Sequence, residues 1–573
     1  MLTNEHTTFE ECFPCGIVNR NWGPQPVKSA AVCITSGLGF FLLPLSPAFS
    51  QNPPMPPEVR VTTNLVQIGV VVRDRNGPVS DLTVNDFTIL DRGKPRNISV
   101  FSSPTAESPQ SARVLPPNTF SNSPQYGTEK LRSVTIVLLD NLNTISASAP
   151  LPYEDTPFWL EDHALANAKQ RLVEFLKHND TSGRIAIYGL SRSLHVLCDF
   201  TCSRDQLLAV VSRYDARSVT QRDAAEAGAI HLPNQNPETP HAFDDPANDS
   251  AEEFAGMNNE ARAEATMSAL MAIAAHVAGI PGRKSLLWLT ANLPFSGHAI
   301  ARILQPAKIA AYPIDARGLL PRAPQENITG VIDADDYALG KLGPPSAMSP
   351  QPVGVIAMGE MASDTGGEAF VNSNDLAAAI RKVVTDSEIM YTLGFYIEPG
   401  SLDDKFHELK VEVRRAGLDV HYPKGYFAAR NVPGPQNESR NAFLVAIRSP
   451  LEAASIPLDV RIDHTEQPQP HSLQVLGVVG IKNVGLVEKD GVRTGMIDVY
   501  AIQQDMTGKV VQQVNNRLRL RLTDQQYETY LRSGITFRET IEPNPQAATL
   551  RVLVQDTDTS RVGSVIISLS RLN

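Results

Sequence analysis

The chain has 573 residues, of which 42% are hydrophobic and 20% charged, and it carries a formal net charge of -11. That length exceeds what one hydrophobic core serves, so about three or four domains are expected, and the composition is that of a folded protein rather than a disordered one. The negative charge argues against a general nucleic-acid surface and against tight binding to anionic lipid, and no RNP, zinc-finger or basic-helix pattern is present.

Residues 1–50 read as a secretory signal peptide. Lys28 precedes an apolar run, Ala30 to Leu45, that is short and broken by Gly and Pro, and Ala48-Phe49-Ser50 supplies a small-x-small cleavage pattern before Gln51. Glu5, Glu10 and Glu11 do not suit a positive leader, which points to translation starting near Val27. The protein is therefore expected to be exported, to the periplasm, cell envelope or extracellular space, with no integral membrane span after cleavage. Cys12, Cys15 and Cys33 fall in the leader, leaving Cys198 and Cys202. In an oxidising compartment that pair either closes a small disulfide loop or stays as two thiols.

In residues 58–103 apolar side chains alternate, as in Leu65-Val66-Gln67-Ile68, with turn signals at Asn76-Gly77 and Asp91-Arg92-Gly93-Lys94. This predicts an N-terminal β module. Residues 104–130, rich in Ser, Pro and Asn, read as a linker. From 131 to 398 strands alternate with amphipathic helices, the pattern of an α/β fold with a doubly wound sheet. Its first strand, Ser133 to Asp140, is an apolar run that predicts burial on both faces. Further strands are expected at 184–190, 194–197, 285–289, 309–314, 368–371 and 391–397, with polar insertions at 214–256 and 319–352. Residues 399–430 read as an antiparallel β extension, 431–441 as a second linker, and 442–573 as a C-terminal β-sandwich domain.

Ligands of open α/β sheets gather beyond the carboxyl ends of the strands. Asp140 stands at such an end, followed by Asn141, Leu142, Asn143 and Thr144. Asp315 and Arg317 stand at another, either as ligand contacts or as a buried pair that closes a turn. Catalytic patterns are missing: there is no H-E-x-x-H, no P-loop and no G-x-G-x-x-G after a strand. Gly189-Leu190-Ser191-Arg192-Ser193 lacks the last Gly of a nucleophile elbow. His163, His195, Asp199 and Asp205 have no triad spacing, so no enzyme activity is expected.

Several stretches together resemble the exported von Willebrand factor A-related proteins of the acidobacterial type. They are Val70 to Gly77 with Asp86-Phe87 and Gly93-Lys94-Pro95, then Leu138 to Thr144, Gly282 to Leu286 and Pro313 to Gly318. Thr365-Gly366-Gly367, Tyr391 to Tyr396 and Gly425-Tyr426-Phe427 complete the set. The resemblance implies a von Willebrand factor A-like, Rossmann-like sheet whose D-x-S-x-S loop holds a divalent metal. Asp140 is in place, Leu142 occupies the first hydroxyl position, Thr144 fills the second, and Thr290-Ala291-Asn292 offers no carboxylate where a later Asp is expected. The implied metal-ion-dependent adhesion site is thus degenerate. Asp140, Asn143 and Thr144 would hold Mg2+ weakly, with no other cofactor, or would instead cap the next helix and close the turn. The implied function is protein binding, in an adhesion-type module acting through the strand-end face on a protein partner, with Asp315 and Arg317 on the possible ligand face. The alternatives are a structural or envelope-assembly scaffold with no metal site, and a hydrolase with an unrecognised site in the loop from Tyr214 to Phe254.

Overall fold

A computed structural model describes residues 65–103, 115–123, 133–145, 159–178, 184–214, 246–291, 293, 295–316, 350–371, 376–428, 436–465 and 472–572. Residues 1–50, expected to be a signal peptide, most of both expected insertions and Arg317 lie outside the described residues. In chain order the strands begin with β1 (Leu65–Asp74), β2 (Gly77–Pro78), β3 (Phe87–Asp91), β4 (Lys94–Arg96), β5 (Val100–Ser102) and β6 (Thr119–Ser121). Next come β7 (Ser133–Asp140), α1 (Asn141–Ile145), α2 (Trp159–His178), β8 (Ile185–Leu190), β9 (Leu194–Cys198), α3 (Arg204–Arg213) and α4 (Pro246–Val277). They are followed by β10 (Arg283–Thr290), α5 (Gly297–Leu304), β11 (Ile309–Asp315), α6 (Pro350–Thr365) and α7 (Leu376–Glu388). Four strands, β12 (Tyr391–Tyr396), β13 (Phe406–Val413), β14 (Asp419–His421) and β15 (Gly425–Phe427), lead into α8 (Gln436–Arg448). The chain ends with β16 (Leu458–Thr465), β17 (Ser472–Val479), β18 (Val487–Lys489), β19 (Val492–Gln504), β20 (Val510–Thr523), α9 (Asp524–Ser533), β21 (Ile535–Ile541), β22 (Thr549–Asp556) and β23 (Val562–Ser568).

The fold is mixed α/β with several sheets. Its central sheet has the order β11-β10-β7-β8-β9, parallel except that β9 turns back against β8. All eight residues of β7 are buried, as are all eight of β10, because helices cover both faces. On one face Leu172, Phe175 and Leu176 of α2 pack with Leu207 and Val211 of α3 and with Ile380 and Val383 of α7. The other face carries Leu270, Ile273 and Val277 of α4, Ile300 and Leu304 of α5, and Met358 and Met361 of α6. Phe370 extends the sheet beyond β11 through a parallel bridge to Ile314. The approach there demands glycine: a Cβ on Gly367 would sit 1.9 Å from the carbonyl oxygen of Ala311. Gly366, at φ +76°, ends α6 in the left-handed conformation.

The strands flanking this unit are not divided as the sequence suggests. β12, read as the last strand of the 131–398 unit, pairs instead with β1 and β5, and β13 pairs with β3. The segments 58–103 and 399–430 are thus two halves of one β unit around a shared core of Val70, Val72, Ile89, Leu393, Phe395 and Val411. These pairings join residues about three hundred positions apart in the chain, which local alternation does not reveal. Likewise β6, inside the expected linker 104–130, adds to β16 at the edge of a C-terminal sheet. Asn122 pins it there: its amide donates to the carbonyls of Ala453 and Ile456 at 2.7 and 2.9 Å, and its Oδ1 accepts from Leu458 N. The linker expected at 431–441 also gives way to α8 from Gln436 onward, whose Phe443 ring lies 4.5 Å from that of Tyr500. In the C-terminal unit the sheets β21-β17-β16-β6 and β18-β19-β22-β23, with β20 beside β19, enclose one apolar core. Helix α4 begins at Pro246, inside the expected insertion.

The α/β unit and the C-terminal unit meet through a buried polar chain. Cys198 and Cys202 form a disulfide, with Cα atoms 6.0 Å apart, and the loop it closes presents Asp199 and Phe200. Asp199 accepts from Tyr188 Oη at 2.9 Å and faces His276 Nε2 of α4 at 3.4 Å, while His276 Nδ1 lies 2.8 Å from the carbonyl of Glu452. Phe200 stacks on the imidazole. Burial alone would lower the pKa of His276, but its bonds to Asp199 and the Glu452 carbonyl outweigh this and raise it. Burial would likewise raise Asp199, and His276 more than reverses the shift. Glu452 is raised by burial.

The signs fix a pH window. A histidine with a raised folded pKa stabilises fully below about pH 6.5, and that contribution is lost as pH rises through the folded value. The lowered Asp199 contributes above about pH 3.8 and fails only in stronger acid. Contact between the units should therefore loosen as pH rises through the folded value of His276, and Glu452 adds a penalty that sets in as pH climbs from about 4.5 through its own raised value. We expect wild type to resist proteolysis at the 430–450 junction better at pH 6 than at pH 8.5, by a free-energy difference of about 1–2 kcal/mol. His276→Gln should be equally sensitive at both; a persisting pH difference would assign the effect to other groups.

Candidate functional site

In an open α/β sheet ligands gather at the carboxyl ends of the strands. The chain runs outward from β7 to β8 on one side and to β10 on the other, so β7 and β10 flank the topological switch point. Asp140 ends β7 there and is fully buried. Its Oδ1 accepts from Asn143 N at 2.9 Å, the geometry of an N-cap on α1. Its Oδ2 accepts from Asn143 Nδ2 at 2.8 Å and from the indole Nε1 of Trp288, on the neighbouring β10, at 2.9 Å. Thr290 also hydrogen-bonds the carboxylate. Thr144 Oγ1 donates 2.6 Å back to the Asp140 carbonyl, closing the turn.

A second layer holds this cluster. Thr266 Oγ1 of α4 accepts from Asn143 Nδ2 at 3.0 Å and donates to the carbonyl of Arg262 at 2.8 Å. Asn141 Nδ2 donates to Tyr214 Oη at 2.6 Å. Arg262 lies within electrostatic reach of Asp140: burial lowers its pKa and the carboxylate draws it back up. Burial raises the pKa of Asp140, and the bonds from Asn143, Trp288 and Thr290 counteract this in part. Two amide oxygens of the cluster, Oδ1 of Asn141 and of Asn143, are buried and accept no hydrogen bond among the described residues.

A hard divalent cation needs several oxygen ligands with lone pairs open toward it, and usually one or two carboxylates. Here the loop supplies one carboxylate, and N–H donors already occupy both its oxygens. Trp288 Nε1 can only donate, so a cation and this indole compete for one direction at Oδ2. Leu142, at the first hydroxyl position, packs against the apolar core. The residues present do not fit Mg2+. Among the described residues no group of three or more His, Cys, Asp or Glu side chains is arranged to hold a metal ion. Asp315 is buried at the end of β11, and its backbone N–H bonds Phe370 O at 2.9 Å. Of the face expected at Asp315 and Arg317, only Asp315 is among the described residues.

No family model matches the chain, and no curated protein matches it significantly. Among solved structures it is similar to an aerotolerance-related membrane protein from Bacteroides fragilis NCTC 9343 carrying multiple mutations to serines. The identity is 10% over 44% of this chain and 97% of that chain, with a TM-score of 0.23. At that score the likeness carries no argument about fold or activity.

One serine–histidine contact lies near the same edge. Ser191 Oγ is 2.9 Å from His195 Nε2, and Ser193 Oγ is 3.3 Å from it. Ser191 is buried, and no carboxylate among the described residues bonds the other ring nitrogen, so the pair lacks the exposure and the orienting acid of a nucleophilic site. The partners that decide the state of Asp140 were not found by reading motifs. Trp288 carried the available signal: an indole inside an otherwise aliphatic buried strand requires an acceptor. No helix among the described residues is long and apolar enough to cross a membrane.

Proposed function

We propose that the chain is an exported, non-enzymatic interaction scaffold of von Willebrand factor A-like architecture, in which the strand-end aspartate has become a structural latch. One observation carries this reading: Asp140, where a metal-bridged adhesion site would place its ligand, is fully buried with both oxygens engaged by Asn143 and Trp288. A latched end face leaves recognition of a protein partner to surfaces elsewhere, and the flanking β unit and C-terminal sheets supply them. The leader of residues 1–50 supports a place in the cell envelope or outside it.

A second reading, the metal-bridged adhesion module, is favoured by the buried, unengaged oxygens of Asn141 and Asn143, which a ligand group could use. Two measurements separate them. On the scaffold reading, titration calorimetry with magnesium and manganese should detect no binding even at concentrations on the order of millimolar. Immobilised full-length protein should also recover the same partners from envelope extract in EDTA as in magnesium. Micromolar metal binding, or loss of partners on chelation, would overturn the latch and restore the adhesion module.

A further inference from the structure

The short loop between β9 and α3 joins a covalent bond to the contact between two units. Cys198, buried at the end of β9, and Cys202, half-buried just before the cap of α3, are the only cysteines beyond position 33. Between them stand Asp199, which faces His276 Nε2, and Phe200, which stacks on the same ring. The other ring nitrogen of His276 lies against the Glu452 carbonyl. Glu452 Oε1 in turn accepts from Ile566 N of β23 at 2.8 Å. Next to it, Ala454 N donates to the carbonyl of Ala275 on α4 at 2.8 Å. The disulfide loop, α4 and the C-terminal unit therefore meet at the segment from Glu452 to Ala454.

Asp199 keeps some anchors that do not involve sulfur. Its Oδ1 accepts from Tyr188 Oη and from Phe200 N, and its carbonyl accepts from Cys202 N. The disulfide adds a constraint these lack, because it fixes the chain on both sides of Asp199 and Phe200 at once, with Cα atoms 6.0 Å apart. Opening it widens the set of backbone conformations open to residues 199–202, and many of them carry Asp199 and Phe200 away from the imidazole.

We propose that Cys198–Cys202 is a redox-sensitive clamp: oxidised, it holds the C-terminal unit on α4, and two-electron reduction by a dithiol loosens that contact without unfolding either unit. Cys202 is the less buried partner, and Thr201 and Ser203 on either side of it are exposed. A thiolate of the dithiol attacks the Cys202 sulfur and forms a mixed disulfide, and Cys198 leaves as a thiolate that takes up a proton. The second thiolate of the dithiol then attacks the mixed disulfide at the reductant's own sulfur. Cys202 is released and protonated, and the reductant departs as a disulfide, so two electrons and two protons have passed to the protein. The clamp does not depend on the state of Asp140.

The test is deuterium exchange on full-length protein at pH 7, oxidised or treated with dithiothreitol, with alkylation and peptide mapping to score both cysteines. Reduction should speed exchange of the Ala454 amide about tenfold and leave the amides of β7 unchanged. Reoxidation should restore protection. Cys198→Ser with Cys202→Ser should behave like the reduced protein; if that variant does not fold, reduced wild type decides alone. His276→Gln should exchange fast at Ala454 in both redox states, since the clamp acts through this ring. Four outcomes would overturn the proposal: a disulfide that resists dithiothreitol in the folded protein, unchanged Ala454 exchange after reduction, equal acceleration in β7, or an undiminished effect of reduction in His276→Gln.

Discussion

Replacing Asp140 with alanine is expected to destabilise the α/β unit by roughly 3–5 kcal/mol, without any effect on divalent-metal affinity. The carboxylate is fully buried and accepts from Asn143 N, Asn143 Nδ2, Trp288 Nε1 and Thr290. Removing it strands those donors away from water, and each buried unsatisfied group costs about 1–3 kcal/mol. The gain on the other side is smaller: burial raises the pKa of Asp140, so its ionised form already carries a desolvation penalty that alanine relieves. That penalty has a sign of its own. Because the folded pKa is raised, the folded state holds the proton more tightly, and stability falls as pH climbs from about 3.8 through the folded value. The alanine variant should lose that slope. Trp288 provides the readout, since it is fully buried beside the carboxylate and the chain has only 3 tryptophans. Urea unfolding followed by its fluorescence reports this unit even if the others melt separately. Trp288→Phe, which keeps most of the ring but deletes the donor, should cost less, about 1–2 kcal/mol. A shift of under about 1 kcal/mol in the alanine variant would remove the latch.

What the sequence made legible here follows from how far each interaction reaches. β7 and β10 stood out because a strand covered on both faces needs an unbroken apolar run, and Ser133 to Asp140 is one. β12 was read with the strands before it because its apolar alternation carries no mark of its partner, and β1 lies more than three hundred residues away. Asp140 shows the same limit at the scale of a site. Its sequence neighbours Asn143 and Thr144 fit a metal loop and a helix cap equally well. The choice is made by Trp288, 148 positions downstream, on a strand whose pairing with β7 puts the indole over Oδ2. The disulfide was open for a related reason, since Cys198 and Cys202 had the spacing of a small loop but spacing does not bring the sulfurs together.

The second large effect is a gain in stability, at the opposite end of the sheet. Lys284 enters β10 with only 2% of its surface exposed, and its ammonium donates to the carbonyls of Ile280 and Gly282 at 2.7 and 3.4 Å. Burial, with a smaller contribution from the charge of Lys308, lowers its pKa from 10.5 to about 8. At about 1.36 kcal/mol for each pH unit, that interval corresponds to roughly 3 kcal/mol of penalty for keeping the charged form inside. A lysine with a depressed folded pKa binds its proton less tightly in the folded state, so stability rises as pH climbs from about 8 to 10.5. Below about pH 8 the full penalty stands. Lys284→Met keeps the length and removes the charge, and gives up two carbonyl bonds that together offset about 1–2 kcal/mol. The variant should therefore be more stable than wild type at pH 7 by about 1–2 kcal/mol. The advantage should shrink as pH climbs from about 8 toward 10.5, as wild-type Lys284 becomes neutral in the folded state and then loses its proton in the unfolded state too. Urea midpoints for both proteins at pH 7 and near pH 10 give the comparison. An equal gain at both pH values would mean that side-chain packing, not the buried charge, sets the effect, and a loss at pH 7 would mean that the carbonyl bonds outweigh the desolvation.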